Sequence, residues 1–179
     1  WHNYANPKEH TIKLEEADAK IPILESEYYL KGHKDINQQA WWSLGKPTDS
    51  DDILYVYGPA YQYSLAYREE GHVKIDDWKS VNTENLMKEM RTNAKNNAEI
   101  FKKQGLTYIK KMDWVFKPTF DEDQNLVNYS YKILWSDNTE TMEARGLVLG
   151  RKGHIDLTVM VAVDSDTNFD ITKEIQEEI

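Results

Sequence analysis

Two apolar runs joined by a glycine-bracketed basic tip, Leu147-Val148-Leu149-Gly150-Arg151-Lys152-Gly153-His154-Ile155-Asp156-Leu157, constrain this chain more than any other stretch. Strands flanking so short a connection pair as an antiparallel hairpin. Glycine reaches the positive backbone angles of two-residue hairpin turns, so Gly150 and Gly153 are expected to reverse the chain while Arg151 and Lys152 face water.

The hairpin ends a longer pattern. Leu106 to Phe120 is rich in β-branched and aromatic residues, and the polar run Asp121 to Asn125 has turn chemistry. Next, Val127, Tyr129, Tyr131, Ile133 and Trp135 alternate with Asn128, Ser130 and Lys132, which predicts a half-buried strand. Ser136 to Thr139 breaks it, Met142 to Leu149 resumes, and Ile155 to Val163 follows the tip. Four such strands in succession predict an antiparallel meander, with Pro118 placing the first at an edge or bulge.

Before the meander, Asn82 to Gln104 carries Leu86, Met87, Met90, Ala94, Ala98 and Phe101 at helical spacing. Asn82 or Thr83 suits its start and Gly105 its end. Earlier still, Thr11 to Leu14, Ala19 to Leu24 and Tyr28 to Leu30 predict short strands, and about Asp35 to Leu44 a brief helix. Ile53 to Tyr57 and Tyr61 to Tyr67 make a hairpin through Gly58-Pro59-Ala60, and Asp76-Asp77 reads as a turn. The expected fold is a single α+β domain over residues 1–179, a mostly antiparallel sheet packed against one long helix and one or two short ones. Residues 1–10 are expected as an N-terminal extension, and Ile171, Ile175 and Ile179 mark 170–179 as a candidate C-terminal helix.

Composition removes several classes of function. The absence of cysteine excludes disulfides, thiolate metal sites and cysteine nucleophiles. A net charge of -9 argues against a general attraction to nucleic acid or anionic lipid. No stretch approaches the roughly 18 apolar residues that span a bilayer.

Candidate sites are few. The spacing Asp-x-Asp-x-Asn occurs at Asp121, Asp123, Asn125 and at Asp164, Asp166, Asn168, alternating oxygens that suit calcium. Leu126 and Phe169 stand where an EF-hand needs glycine, and Lys132 and Ile175 where it needs glutamate, so the plainer reading is two Asx-stabilised turns. Arg145, Arg151, Lys152 and His154 form a basic island that could grip a phosphate or carboxylate, but the plainer reading is an edge hairpin whose charges keep it soluble and unpaired. The five histidines lack metal-ligand spacing, and no metal or other cofactor is expected. Trp41, Trp42, Tyr55, Tyr57, Tyr61, Tyr63 and Tyr67 are concentrated enough to suggest a stacking platform, although tyrosine and tryptophan also pack well in cores.

Three blocks carry a family resemblance in order: Tyr67-Arg68-Glu69-Glu70-Gly71-His72-Val73-Lys74-Ile75-Asp76-Asp77; Gly105 followed by Met112-Asp113-Trp114-Val115-Phe116-Lys117-Pro118-Thr119-Phe120-Asp121; and Leu149-Gly150-Arg151-Lys152-Gly153. From about Thr11 to Val163 the chain resembles the uncharacterised bacterial membrane-anchored proteins catalogued as domain of unknown function twenty-one sixty-seven. It departs from them at Thr119-Phe120, where a histidine or similar residue followed by tyrosine is usual, and in lacking their glycine-, tyrosine- and aspartate-rich segment before the anchor.

The resemblance implies a cleaved signal, an extracytoplasmic domain and a C-terminal anchor, consistent with a chain that starts at Trp1. The function expected is then a non-catalytic interaction or sensing module with an envelope protein or carbohydrate as partner, no nucleic acid, and a membrane link only through the anchor. The alternative is an envelope carbohydrate- or peptide-binding module or a hydrolase, for which Asp76, Asp77 and Asp156 are candidate carboxylates.

Overall fold

The computed structural model describes residues 10–44 and 50–163, with the backbone alone for residues 40–44. β1 (Thr11–Leu14) and β2 (Ala19–Pro22) form a small hairpin. β3 (Tyr28–Lys31), α1 (His33–Leu44), β4 (Asp52–Tyr57), β5 (Tyr61–Arg68), α2 (Ile75–Lys79) and α3 (Thr83–Lys103) follow. Then come β6 (Ile109–Asp121), β7 (Leu126–Trp135), β8 (Glu140–Leu149) and β9 (His154–Ala162). The last four form the expected meander, and β9 also pairs with β5, closing a seven-stranded antiparallel sheet in the order β3-β4-β5-β9-β8-β7-β6.

The molecule is thus the α+β domain that the sequence predicts. The candidate helix at 170–179 and the loop of Asp164, Asp166 and Asn168 lie outside the described residues, as does most of the N-terminal extension.

Turn chemistry sets the register of the meander. The Asp121 carboxylate accepts from the amides of Asp123 and Gln124, both at 3.0 Å, and Asp137 does the same for Thr139 at 3.0 Å. Asn125 and Asn138 take positive φ, a conformation that asparagine tolerates. The β8–β9 hairpin departs from expectation, because Gly150 and Gly153 do not adopt positive φ. What requires glycine at position 153 is space: a Cβ there would stand 1.9 Å from the Arg68 carbonyl oxygen. Gly71 does take positive φ, at +79°, and donates its N–H to the Lys152 carbonyl at 3.1 Å. The first and third family blocks therefore meet, the segment after β5 being clasped against the hairpin tip.

Helix α3 is capped as the sequence predicts. Asn82 accepts from the amides of Glu84 and Asn85 at 3.0 Å, and Gly105, at φ +68°, lets Leu106 N–H reach the Phe101 carbonyl at 2.9 Å. Asp76 and Asp77, read as a turn, lie instead in the first turn of α2, where amide dipoles favour carboxylates.

Alternation divides the side chains between two faces of the sheet. On one, the β1–β2 hairpin buries Ile12, Leu14 and Ile23 against Leu54, Val56 and Leu65. On the other, α3 lays Met87 on Met112, Tyr131 and Ile133, and α2 with its approach lays Val73, Ile75 and Trp78 on Val127, Leu147 and Leu149. Strand β7 is buried more than alternation implies, since Leu126 and Ser130 on its other face are also covered. No helix among the described residues is long and apolar enough to cross a membrane.

Candidate functional site

α3 and α2 pack chiefly on β6 and β7, and α1 on β3 and β4, so β5, β9 and β8 lie between the helix-covered ends of the sheet. Period-two geometry decides what this middle presents on the face that carries α2 and α3. Register places Tyr55, Ser64, Thr158, Arg145 and Tyr129 in one row across β4, β5, β9, β8 and β7. The next row reads Tyr57, Gln62, Met160, Glu143 and Tyr131. Ser64 and Thr158 are small and the tyrosines on both flanks are large, so the first row dips into a trough between aromatic ends, bordered along the second row by Gln62, Met160 and Glu143.

The walls are aromatic. Tyr55 and Tyr57 stand 4.7 Å apart between ring centroids, tilted by 33°. Opposite, Tyr129 and Tyr131 stack at 6.3 Å and receive the edge of Trp114 at 5.8 and 6.4 Å. Burial holds the hydroxyls of Tyr55 and Tyr131 protonated well beyond the ordinary phenol range; Tyr57 adds to the effect at Tyr55 and the Glu143 carboxylate at Tyr131.

On the floor, Asp156 meets Arg145 side on, Nε to Oδ1 at 3.2 Å and Nη2 to Oδ2 at 2.5 Å. Their side chains are 26% and 11% exposed. Burial works against the charge of Arg145, but Asp156 and the phenols of Tyr129 and Tyr131 outweigh it and move its pKa up. Beside them Tyr131 donates to Glu143 Oε2 at 2.5 Å. The carboxylates are therefore already engaged as acceptors, an arrangement that can exchange partners with a ligand's hydroxyl groups.

The basic island does not hold together. Arg145 points into the trough, whereas Arg151 and Lys152 are exposed at the hairpin tip, Arg151 beside a hollow of about 310 Å³ shared with His72, Lys74 and Asp76. His154 is largely covered, its side chain 13% exposed and its Nδ1 3.8 Å from the Glu70 carboxylate. The tyrosine platform also divides. Tyr55 and Tyr57 face the trough while Tyr61, Tyr63 and Tyr67 point to the opposite face, because β4 and β5 pair in that register. Trp41 and Trp42 belong to α1, and their side chains lie outside the described residues.

The remaining candidates are engaged separately. Asp121 caps its own turn, Asp76 pairs with Lys79 at 3.6 Å, and Asp77 accepts from the Lys74 amide at 3.4 Å. Glu143 went unrecognised in the sequence; its signal was parity, since Thr141, Glu143 and Arg145 share one face of β8.

Fold and site together define a single α+β domain bearing a polar, tyrosine-walled trough on an antiparallel sheet. The chain belongs to the family described as protein of unknown function (DUF2167), whose profile matches residues 6–177. No curated protein matches it. Among solved structures it is similar to the solution structure of cyanobacterial PsbP (CyanoP) from Synechocystis sp. PCC 6803, at 11% identity and a TM-score of 0.49, over 89% of this chain and 82% of that one.

Proposed function

We propose that this domain is a non-catalytic recognition module of the bacterial envelope, held outside the cytoplasm by a membrane anchor, and that its ligand seat is the trough over Arg145, Asp156 and Glu143. The observation that carries this reading is the side-on pairing of Arg145 with Asp156. Their charges compensate each other, so a charged ligand gains little from entering, while a neutral, hydroxyl-rich one finds planar acceptors and donors on the floor. Tyr55 and Tyr57 supply rings against which a sugar can lie. A neutral envelope glycan is accordingly the ligand class proposed. The setting outside the cytoplasm is supported by the likeness to anchored family members.

The test is isothermal titration of the chain with neutral oligosaccharides built from N-acetylhexosamine. Saturable binding that Tyr55→Ala and Glu143→Gln each weaken about tenfold, in folded protein, supports the proposal. Heat that is unchanged in both variants, or no binding at all, overturns it. A reporter fused to the full-length protein and active only outside the cytoplasm tests the location.

A further inference from the structure

A second surface lies at the far edge of the sheet. Among the described residues β6 has one strand neighbour, β7, and its other edge borders a groove of about 930 Å³ walled by α3. The helix presents Ala94 and Ala98 to this groove, and the strand end presents Tyr108, Ile109 and Met112. Arg91 Nε donates to the Met112 carbonyl at 2.8 Å, so that backbone acceptor is reached from the groove side. An edge strand with no strand neighbour on its outer side and small helix residues opposite is the geometry into which an extended peptide adds as a strand, the Arg91 bond to Met112 being exchanged for one from the peptide.

The charge of the groove runs against that of the molecule. Arg91, Lys95, Lys102, Lys110 and Lys111 line it with Glu99 and Asp113, five cations to two carboxylates, on a chain of net charge -9. Asp113 is shared by Arg91 at 2.6 Å and Lys111 at 2.7 Å, and Glu99 is taken by Lys102 at 2.9 Å. Lys110 bonds the neutral amide of Asn138, and Lys95 has no ion pair among the described residues. These pairs are exposed and cost little to exchange. Lysines on an edge strand also discourage indiscriminate pairing, and that role alone would need neither a groove nor cations on the helix opposite.

We propose that the cleft between α3 and the free edge of β6 is a docking groove for an extended acidic peptide of a partner protein, which adds to the sheet as an eighth strand. Alternate side chains of the peptide lie against Ala94, Ala98 and Ile109, and its carboxylates meet Lys95, Lys110 and Lys111.

The test uses the 179-residue chain and a labelled peptide of alternating Glu and Val, followed by fluorescence anisotropy and by amide exchange over Ile109 to Asp113. The expected result is saturable binding that slows exchange along β6 and falls about tenfold in Lys95→Glu/Lys110→Glu, whose exposed side chains are not part of the core. The same peptide N-methylated at alternate amides keeps its charge and is expected to lose binding. Equal affinity for the methylated peptide, or for polyglutamate of the same charge, would show electrostatic attraction without strand addition and overturn the proposal. Absence of saturable binding overturns it as well. Neither outcome bears on the trough, whose floor residues Arg145, Asp156 and Glu143 lie on β8 and β9.

Discussion

Gly153 and Arg68 touch through their backbones. A Cβ on Gly153 would lie 1.9 Å from the Arg68 carbonyl oxygen and 3.0 Å from Glu69 Cα. Backbone cannot swing aside as a lysine tip can, so Gly153→Ala is expected to cost about 2–3 kcal/mol in urea unfolding. Gly150→Ala meets a single atom at 3.0 Å, the Gly153 carbonyl oxygen, and is expected to cost less. Equal midpoints for the two variants would show that the clasp does not hold the hairpin.

Arg145→Met should destabilise the domain by about 3 kcal/mol, because it leaves the Asp156 carboxylate covered and unpaired. The double replacement Arg145→Met/Asp156→Leu removes both charges and is expected to recover most of that loss. Additive losses in the double variant, measured by the same unfolding, would mean that the pair is not energetically coupled.

On the opposite face, Glu27 is 2% exposed and held by the Tyr61 hydroxyl at 2.6 Å and the Leu24 amide at 2.7 Å. Tyr61→Phe keeps the ring and withdraws one of these donors, for an expected cost of about 1–3 kcal/mol. A melting temperature equal to the wild type would show that the hydroxyl is dispensable.

Alkaline stability follows from the buried phenols. Tyr55, Tyr63 and Tyr131 are all pushed up, each chiefly by burial, so the folded state holds their protons more tightly than the unfolded chain does. Their contribution is fully present below the ordinary phenol value of about 10 and declines as pH rises above it. Melting temperature against pH should therefore be flat with respect to these groups up to about pH 10 and fall beyond, less steeply in Tyr131→Phe. Phenolate absorbance at about pH 10 in folded protein that is lost in Tyr55→Phe, Tyr63→Phe or Tyr131→Phe would contradict this.

Local chemistry made much of the fold legible. Asn82 and Gly105 bounded α3, and alternation from Val127 to Val163 announced the meander together with its edge at Pro118. The trough was legible only in part, because it depends on which strands become neighbours. Arg145 looked like a companion of Arg151 and Lys152 along the chain, yet two-residue parity and the pairing of β8 with β9 direct it to Asp156. The tyrosines of β4 and β5 looked like one cluster until the register sent them to opposite faces. The glycine-bracketed tip identified the family through residues whose role is to clasp Arg68 and Gly71, and such contacts across the chain leave no periodic trace.

The claim that the trough is the ligand seat is tested most directly by NMR titration of the isotope-labelled chain with a neutral N-acetylhexosamine oligosaccharide. The account predicts dose-dependent shifts at Tyr55, Ser64, Glu143, Arg145 and Thr158, with Arg151 and Lys152 unmoved. Saturation that leaves those five residues unshifted, or shifts confined to the hairpin tip, would contradict it.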